Sequence, residues 1–443
     1  VRKTRLRDPL RRPVFRRLAT TFAVNELGDW MGIVALSVLV YDSTESALAT
    51  TALFLGTGFL PALLAPLFVA RIEQPPPRFV LPVIYCGEAI AFAVLALLAD
   101  DFSLAAVVAI AAIDGALALS GRALTRAVVA AQLEPVGELR AGNAILNVAF
   151  TGGAAIGPAL AGVVVAGFGV PAALLLNAVS FYITAWIVFT AGPLPQAEPE
   201  PGRTRERVRA GAAYIRERAT LRWLLLGQGA AAVFFAAVLP VEVIYVKETL
   251  GGSDSGYGLL LASWGVGMVL GGVAFAVVRR APLPTLLLFS TLTIGLGYLG
   301  LAAAPNLALA CAASVLGGAG NGVQWVALVS AVQELTAQNM QARVMSVLES
   351  LGAAMPGIGF LLGGLTATVL DPRVTFLVAG AGVLVIVAIV APIIASKWPE
   401  RREKLRSSEL DSGSEIVVEL LPPGRFFRSR GEGPVQSTGE VTR

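Results

Sequence analysis

Three residues in one apolar stretch carry chemistry that needs a reason. Asn25, Glu26 and Asp29 interrupt a run otherwise rich in Ala, Leu, Val and Gly. At positions i and i+3, Glu26 and Asp29 share one face of a helix, with Asn25 one turn from Asp29. Ionisable groups inside lipid cost at least about 2.5 kcal/mol each, and two carboxylates this close do not easily both carry charge. Such a pair suits a group that binds a proton on one side of a membrane and releases it on the other. The competing reading is that Asp29 hydrogen-bonds a neighbouring helix and fixes packing. A second set follows at Asp114 and Arg122, two turns apart on roughly one face, with Arg126 one turn beyond. Arg122 fits a charge partner for the acids equally with an arginine reaching lipid headgroups. Glu88 divides evenly between packing and a lipid-interface role, and Glu242 and Glu349 read as rim or gate residues.

Other chemistries find no footing. The chain has no His and no paired nucleophile and base, so an enzyme is not expected. No Gly-rich phosphate loop ending in Lys-Ser/Thr is present, so an ATPase motor is not expected either. The two cysteines, Cys86 and Cys311, lie in separate apolar runs and read as small buried hydrophobes. Neither a metal site nor a cofactor is expected.

The elements that must hold these charges are membrane helices. Apolar residues make up 56% of the 443 positions and charged ones 14%, against about 25% charge in soluble domains. Polar residues gather at the start, around 192–222 and after 396, leaving stretches of about the 20 residues that cross a bilayer as a helix. No period-two alternation supports a barrel. The segments fall at about 18–41, 47–70, 79–99, 103–129, 143–167, 171–191, 221–246, 256–278, 283–304, 307–331, 344–369 and 373–395. The basic stretch Val1–Arg17 is too charged for a leader helix, and the first apolar segment is long enough to stay in the membrane. With twelve spans and both termini cytoplasmic, nearly all Lys and Arg fall inside. The outer loops then carry Asp42, Glu45, Asp100, Asp101 and Asp254, with Lys247 and Arg373 the basic exceptions. The net charge of +4 is what a cytoplasmic face needs against anionic lipid and asks for no nucleic acid.

The chain divides into a basic N-terminus (1–17), a first six-helix bundle (18–191), a linker (192–220), a second bundle (221–395) and a cytoplasmic tail (396–443) of disordered composition. Within the linker, Arg203–Arg222 reads either as an amphipathic helix on the inner leaflet or as a solvated charged connector. The bundles echo one another about 201 residues apart. Gln132–Ala141 leads into a helix with Gly157-Pro158, and Gln333–Ala342 into one with Pro356-Gly357. Six plus six helices in parallel repeats is the major facilitator design, with its substrate site between the halves.

The resemblance sharpens at the first helix. Asn25-Glu-Leu-Gly-Asp-Trp followed by Ala35-Leu36 and Leu39-Val-Tyr41 resembles the drug-efflux branch that includes macrolide exporters and the enterobactin exporter. Gln132–Gly169 and Gly256-Tyr-Gly-Leu-Leu260 are similar to it as well. The resemblance covers residues 15 to about 395 and implies export by alternating access. It implies proton coupling through Glu26, Asp29, Asp114 and Arg122, because related antiporters set a helix 4 Arg against a helix 1 acid. It implies that Gly157-Pro158 is a helix-bending antiporter motif, and that the loop after helix 2 is a cytoplasmic latch. That loop departs from the usual pattern: Glu73 stands where an Asp is expected, Arg78 keeps one base, and Pro75-Pro76-Pro77 stiffens it. Asn25, Trp30, Asn147, Gln228, Asn321 and Gln324 are the cavity candidates, being polar or aromatic and deep in spans.

The expectation is a monomeric, multi-pass protein of the cell (plasma or inner) membrane. Driven by protons, it exports amphiphilic small molecules of the antibiotic, drug or siderophore class. The alternatives are uptake or facilitated movement of a metabolite on the same fold, and a non-transporting membrane receptor or scaffold.

Overall fold

Backbone groups in lipid must find partners within their own segment, and this chain answers with helices. The computed structural model describes residues 7–63, 76–195, 204–277 and 281–398. Helix α1 is Pro13–Thr44 and α2 is Ala47–Phe54, continued by a π-helical turn, Leu55–Phe59. Then come α3 (Pro77–Leu97), α4 (Leu104–Leu133) and α5 (Leu139–Phe189). The linker contributes α6 (Thr204–Arg216). The second half holds α7 (Ala219–Val238), α8 (Asp254–Val277), α9 (Leu283–Ala303), α10 (Leu307–Glu334), α11 (Gln341–Val369) and α12 (Pro372–Lys397). Between α7 and α8 lie the short turn Glu242–Ile244 and a second π-helical turn, Tyr245–Thr249.

Local chemistry sets the breaks. α1 begins at a proline, whose missing N–H is harmless in a first turn. It stops at Glu45, whose φ of 48° is left-handed, and Ser46 caps α2 by accepting from the Ala49 amide at 3.3 Å. The narrow gap between α11 and α12 is made sharp by Pro372 and by Asp371, whose carboxylate accepts from the Arg373 amide at 2.7 Å.

Ten helices among the described residues are long and apolar enough to cross a membrane, by length and composition. The difference from twelve expected segments has two sources. The second segment is described only as Ala47–Leu63, which is shorter. The fifth and sixth form one helix of 51 residues, about 77 Å if straight. It is not straight. Gly153 lies against the backbone of Glu26, and Asn177 lies against Gly28. Those α5 residues stand about 36 Å apart along a straight helix, yet they meet α1 within a single turn. The chain therefore doubles back at Gly169, whose φ of 80° and ψ of 168° break the helix. The two arms of α5 clasp α1 between them.

Large apolar side chains also point outward. Leu97, Phe168 and Val369 are three-quarters or more exposed, as suits a surface whose solvent is lipid. The linker helix α6 is held by protein: Gly211 packs on the Arg343 carbonyl, and Tyr214 accepts from the Ala337 amide at 2.9 Å. The expected helix Arg203–Arg222 is thus two, broken between Arg216 and Ala219.

The halves, α1–α5 and α7–α12, meet along a seam at the end where α1 stops and α8 starts, here the far end. There Lys247 is paired with Asp42 and, at 2.6 Å, with Asp254, while Tyr41 donates to Glu248. Below these contacts the seam is glycine. Gly162 faces Gly258, Gly265 rests on the Ala154 carbonyl, and Gly364 meets Thr51. Phe54 and Phe360 pack with ring centroids 5.5 Å apart. Gly152 and Gly352, nearer the other end, face open space.

Because Gly169 occupies a backbone region nearly confined to glycine, Gly169→Ala is expected to lose about 1–3 kcal/mol. Thermal melting in detergent checks this, with Gly167→Ala, where the space is open and φ ordinary, melting as the parent does.

Candidate functional site

Glycine makes room for the first helix's acids. A side chain at Gly28 would strike Asn177, and side chains at Gly153 and Gly157 would strike the Glu26 and Leu27 backbone. With these positions bare, α1 is pressed between the arms of α5, and Glu26 loses all contact with solvent. Asp29 keeps 17% of its side chain exposed.

Arg122 on α4 stands between the two acids. Its Nη1 lies 3.6 Å from Asp29 Oδ2 and 3.9 Å from Glu26 Oε2, close enough for strong attraction but beyond a good hydrogen bond. Asn25 Nδ2 donates to Asp29 Oδ2 at 3.0 Å. Asp114 is buried and within electrostatic reach of Asp29 and Arg122. The four residues expected to handle protons are therefore brought together. Arg126 lies within electrostatic reach of Glu26, with its guanidinium 6.0 Å from the Phe22 ring centroid.

One member was not placed in this group by the sequence. Glu88 of α3 is fully buried and lies within electrostatic reach of Asp29, Asp114, Arg122 and Glu26. The signal was available: Leu81, Tyr85, Glu88, Phe92 and Leu95 are all buried and recur at helical spacing, so Glu88 sits in the inward stripe of α3. One turn away, the Tyr85 and Thr125 hydroxyls hydrogen-bond at 3.1 Å, tying α3 to α4.

The group is short of partners. Both carboxylate oxygens of Glu26 and of Glu88, and Oδ1 of Asp114, are buried without a hydrogen bond. Native interiors rarely leave such atoms alone, and those that do usually mark function. Among the described residues no cluster of three or more His, Cys, Asp or Glu could hold a metal ion.

The expected cavity residues scatter. Asn25 belongs to the charged group. Trp30 lies edge-on to Phe150, centroids 6.3 Å apart. Asn147 is exposed and Asn321 half-buried. Gln228 and Gln324 line a pocket of about 160 Å³ inside the second half, among α7, α9, α10 and α12. Glu73 lies outside the described residues, and Arg78 stacks its guanidinium 4.4 Å from the centroid of Phe79.

The sharp break in α5 falls at Gly169, in the gap expected between the fifth and sixth segments, whereas Gly157-Pro158 lies inside the first arm. Its effect is subtler. Pro158 has no N–H to give the Ala154 carbonyl, and that freed carbonyl is the surface on which Gly265 of the other half rests.

Comparison with known proteins gives the chain's family and fold. A family model described as transmembrane secretion effector matches residues 6–420. Among solved structures, the nucleoside transporter NupG superposes with a TM-score of 0.69 at 12% identity, over 86% of this chain and 98% of that one. The POT family transporter PepTSo gives 0.69 at 8% identity, over 87% and 98%. The human organic anion transporter MFSD10 (TETRAN) gives 0.60 at 20% identity, over 85% and 99%. At these identities the likeness is one of fold. No curated protein sequence matches the chain.

Removing the shared cation tests how the group is held. Arg122→Ala leaves buried carboxylates uncompensated unless they take up protons. Its loss of melting temperature in detergent is expected to be larger at pH 8 than at pH 5, with Arg122→Lys between it and the parent.

Proposed function

The chain belongs to the transmembrane secretion effector family of the major facilitator superfamily, and from that premise we propose that it exports amphiphilic small molecules in exchange for protons. The superfamily makes it a multi-pass membrane protein and a secondary transporter of small molecules, not an enzyme.

One observation carries the proposal: four acids, Glu26, Asp29, Glu88 and Asp114, gather in the first half around one guanidinium, that of Arg122. Fully ionised, the four acids outnumber the Arg122 guanidinium by three negative charges in a mostly buried site, a state of high energy. Bound protons are the simplest balance. When Asp29 or Glu26 takes a proton, its pull on Arg122 weakens, and the contact between α1 and α4 loosens.

That local change has a route to the gate. Asp29 and Asp42 sit on the same helix, about 20 Å apart along its axis, and Asp42 pairs with Lys247 of the other half. A shift of α1 therefore acts on the charges that cap the seam. Counting the arms of α5 separately and adding the Ala47–Leu63 segment makes twelve spans, with both termini cytoplasmic by the distribution of Lys and Arg. In that orientation the closed seam is external and the open space at Gly152 and Gly352 is internal, so the described state faces inward. Export is supported by the family's description as secretion effectors and by the first helix's resemblance to macrolide and enterobactin exporters. Residence in the cell membrane as a monomer completes the proposal.

Two experiments test it. Purified protein in vesicles that hold a pH-sensitive dye is challenged with lipophilic antibiotics, dyes and siderophores. The parent is expected to couple one of them to proton movement, and Asp29→Asn to slow that movement by about tenfold or more, worth about 1.4 kcal/mol. Parental rates in Asp29→Asn would sink the coupling role, and accumulation of substrate inside cells would favour uptake. For the gate, Gly258→Leu should hold the seam apart. In a background lacking Cys86 and Cys311, Ser37→Cys, buried at the seam in the parent, should then become reactive to an impermeant maleimide from outside.

A further inference from the structure

The pocket inside the second half stands apart from both the charged group and the seam. Its walls are apolar except for Gln228, Thr285, Thr291 and Gln324. α9 and α12 touch where Gly295 meets Gly380 and Leu384. They leave the pocket on the side of Pro284 and Ile394. Gln324 Nε2 donates to Thr291 Oγ1 at 3.1 Å, which steadies one wall.

Its place in the repeat explains why it is hollow. Gly227, Gln228 and Ala231 each follow Asn25, Glu26 and Asp29 by 202 residues. Gln324 and Leu328 follow Arg122 and Arg126 by the same 202, and Thr291 follows Glu88 by 203. All six line the pocket. The pocket is thus the counterpart of the part of the charged group built by Asn25, Glu26, Asp29, Glu88, Arg122 and Arg126, with every charge removed and most side chains shortened. Ala stands for Asp, Gly for Asn, Gln and Leu for two Arg. The volume that ionic side chains fill in the first half remains as space in the second.

We propose that this pocket is a binding site for an uncharged, mainly apolar small molecule carrying one hydrogen-bonding group. A space near 150 Å³ with apolar walls accepts a molecule the size of benzene. The buried part of the ligand is therefore about one ring, with a hydroxyl or amide directed at Gln228 and Gln324. No wall residue carries a charge, so a cation or anion would enter uncompensated. The site does not depend on proton coupling and stands if the export reading fails.

Photolabelling in lipid nanodiscs tests it. The probe is a diazirine-bearing benzyl alcohol, its adducts are mapped by peptide mass spectrometry, and plain benzyl alcohol is the competitor. Saturable, competed adducts on 224–231, 284–291 or 386–394 are expected. Ala231→Phe should fill the pocket and reduce them by about tenfold or more. Gln324→Leu should weaken competition by benzyl alcohol but not by toluene, and it carries the test if Ala231→Phe does not fold. Unsaturable labelling spread over the outer faces at Phe289, Val385 and Ile389, which are exposed, would overturn the proposal. So would exclusive labelling of the same segments by a phosphatidylcholine with a diazirine in its acyl chain, which would make the space a lipid slot. Adducts with no proton movement in the dye assay would remove the transport reading alone.

Discussion

One guanidinium shared among several buried acids sets the terms for the first half of the molecule. A buried charge is tolerated only near its opposite, so Arg122 fixes where α4 stands relative to α1. The glycines at 28, 153 and 157 follow from the same demand. They let the arms of α5 close on α1 and exclude the water that would otherwise solvate Glu26. Packing and charge are therefore one constraint here. A larger residue at any of these glycines would move the helix that carries the acids.

The second half answers the same architecture without ions. Its counterpart positions are neutral and mostly shortened, and the pocket they line has aliphatic walls and an amide-to-hydroxyl bond between Gln324 and Thr291. Its own buried acid, Glu242, lies toward the seam, with Oε2 unpaired. Two bundles built on one plan thus differ at matching positions, ionic in the first half and uncharged in the second.

Much of this was legible in the residues, for reasons that differ by element. Apolar segments can be read from composition because the cost of a charge in lipid is paid residue by residue. The pairing of Glu26 with Asp29 was legible because spacing along one helix fixes which side chains share a face, while Arg122 as their partner came from the family resemblance. What spacing cannot supply is rotation, the direction each face takes in the bundle. Glu88 was left between packing and lipid for that reason, although the stripe from Leu81 to Leu95 held the answer. Gln228 and Gln324 were expected in a central cavity and instead face the interior of their own half. Gly157-Pro158 was expected to bend the fifth segment, 143–167, and its proline has a second effect. Proline within a helix frees a carbonyl as well as straining the chain, and here the carbonyl is what the neighbour uses.

That carbonyl has a consequence for how such a protein can diversify. Much of the seam rests on main-chain atoms: the Ala154 carbonyl under Gly265, and Gly162 against Gly258. Main-chain atoms do not change when codons do, so long as the glycines stay. Residues that line the cavities can then drift toward new cargoes without disturbing the closure. Selection can retune what is carried while the closure of the carrier is inherited unaltered.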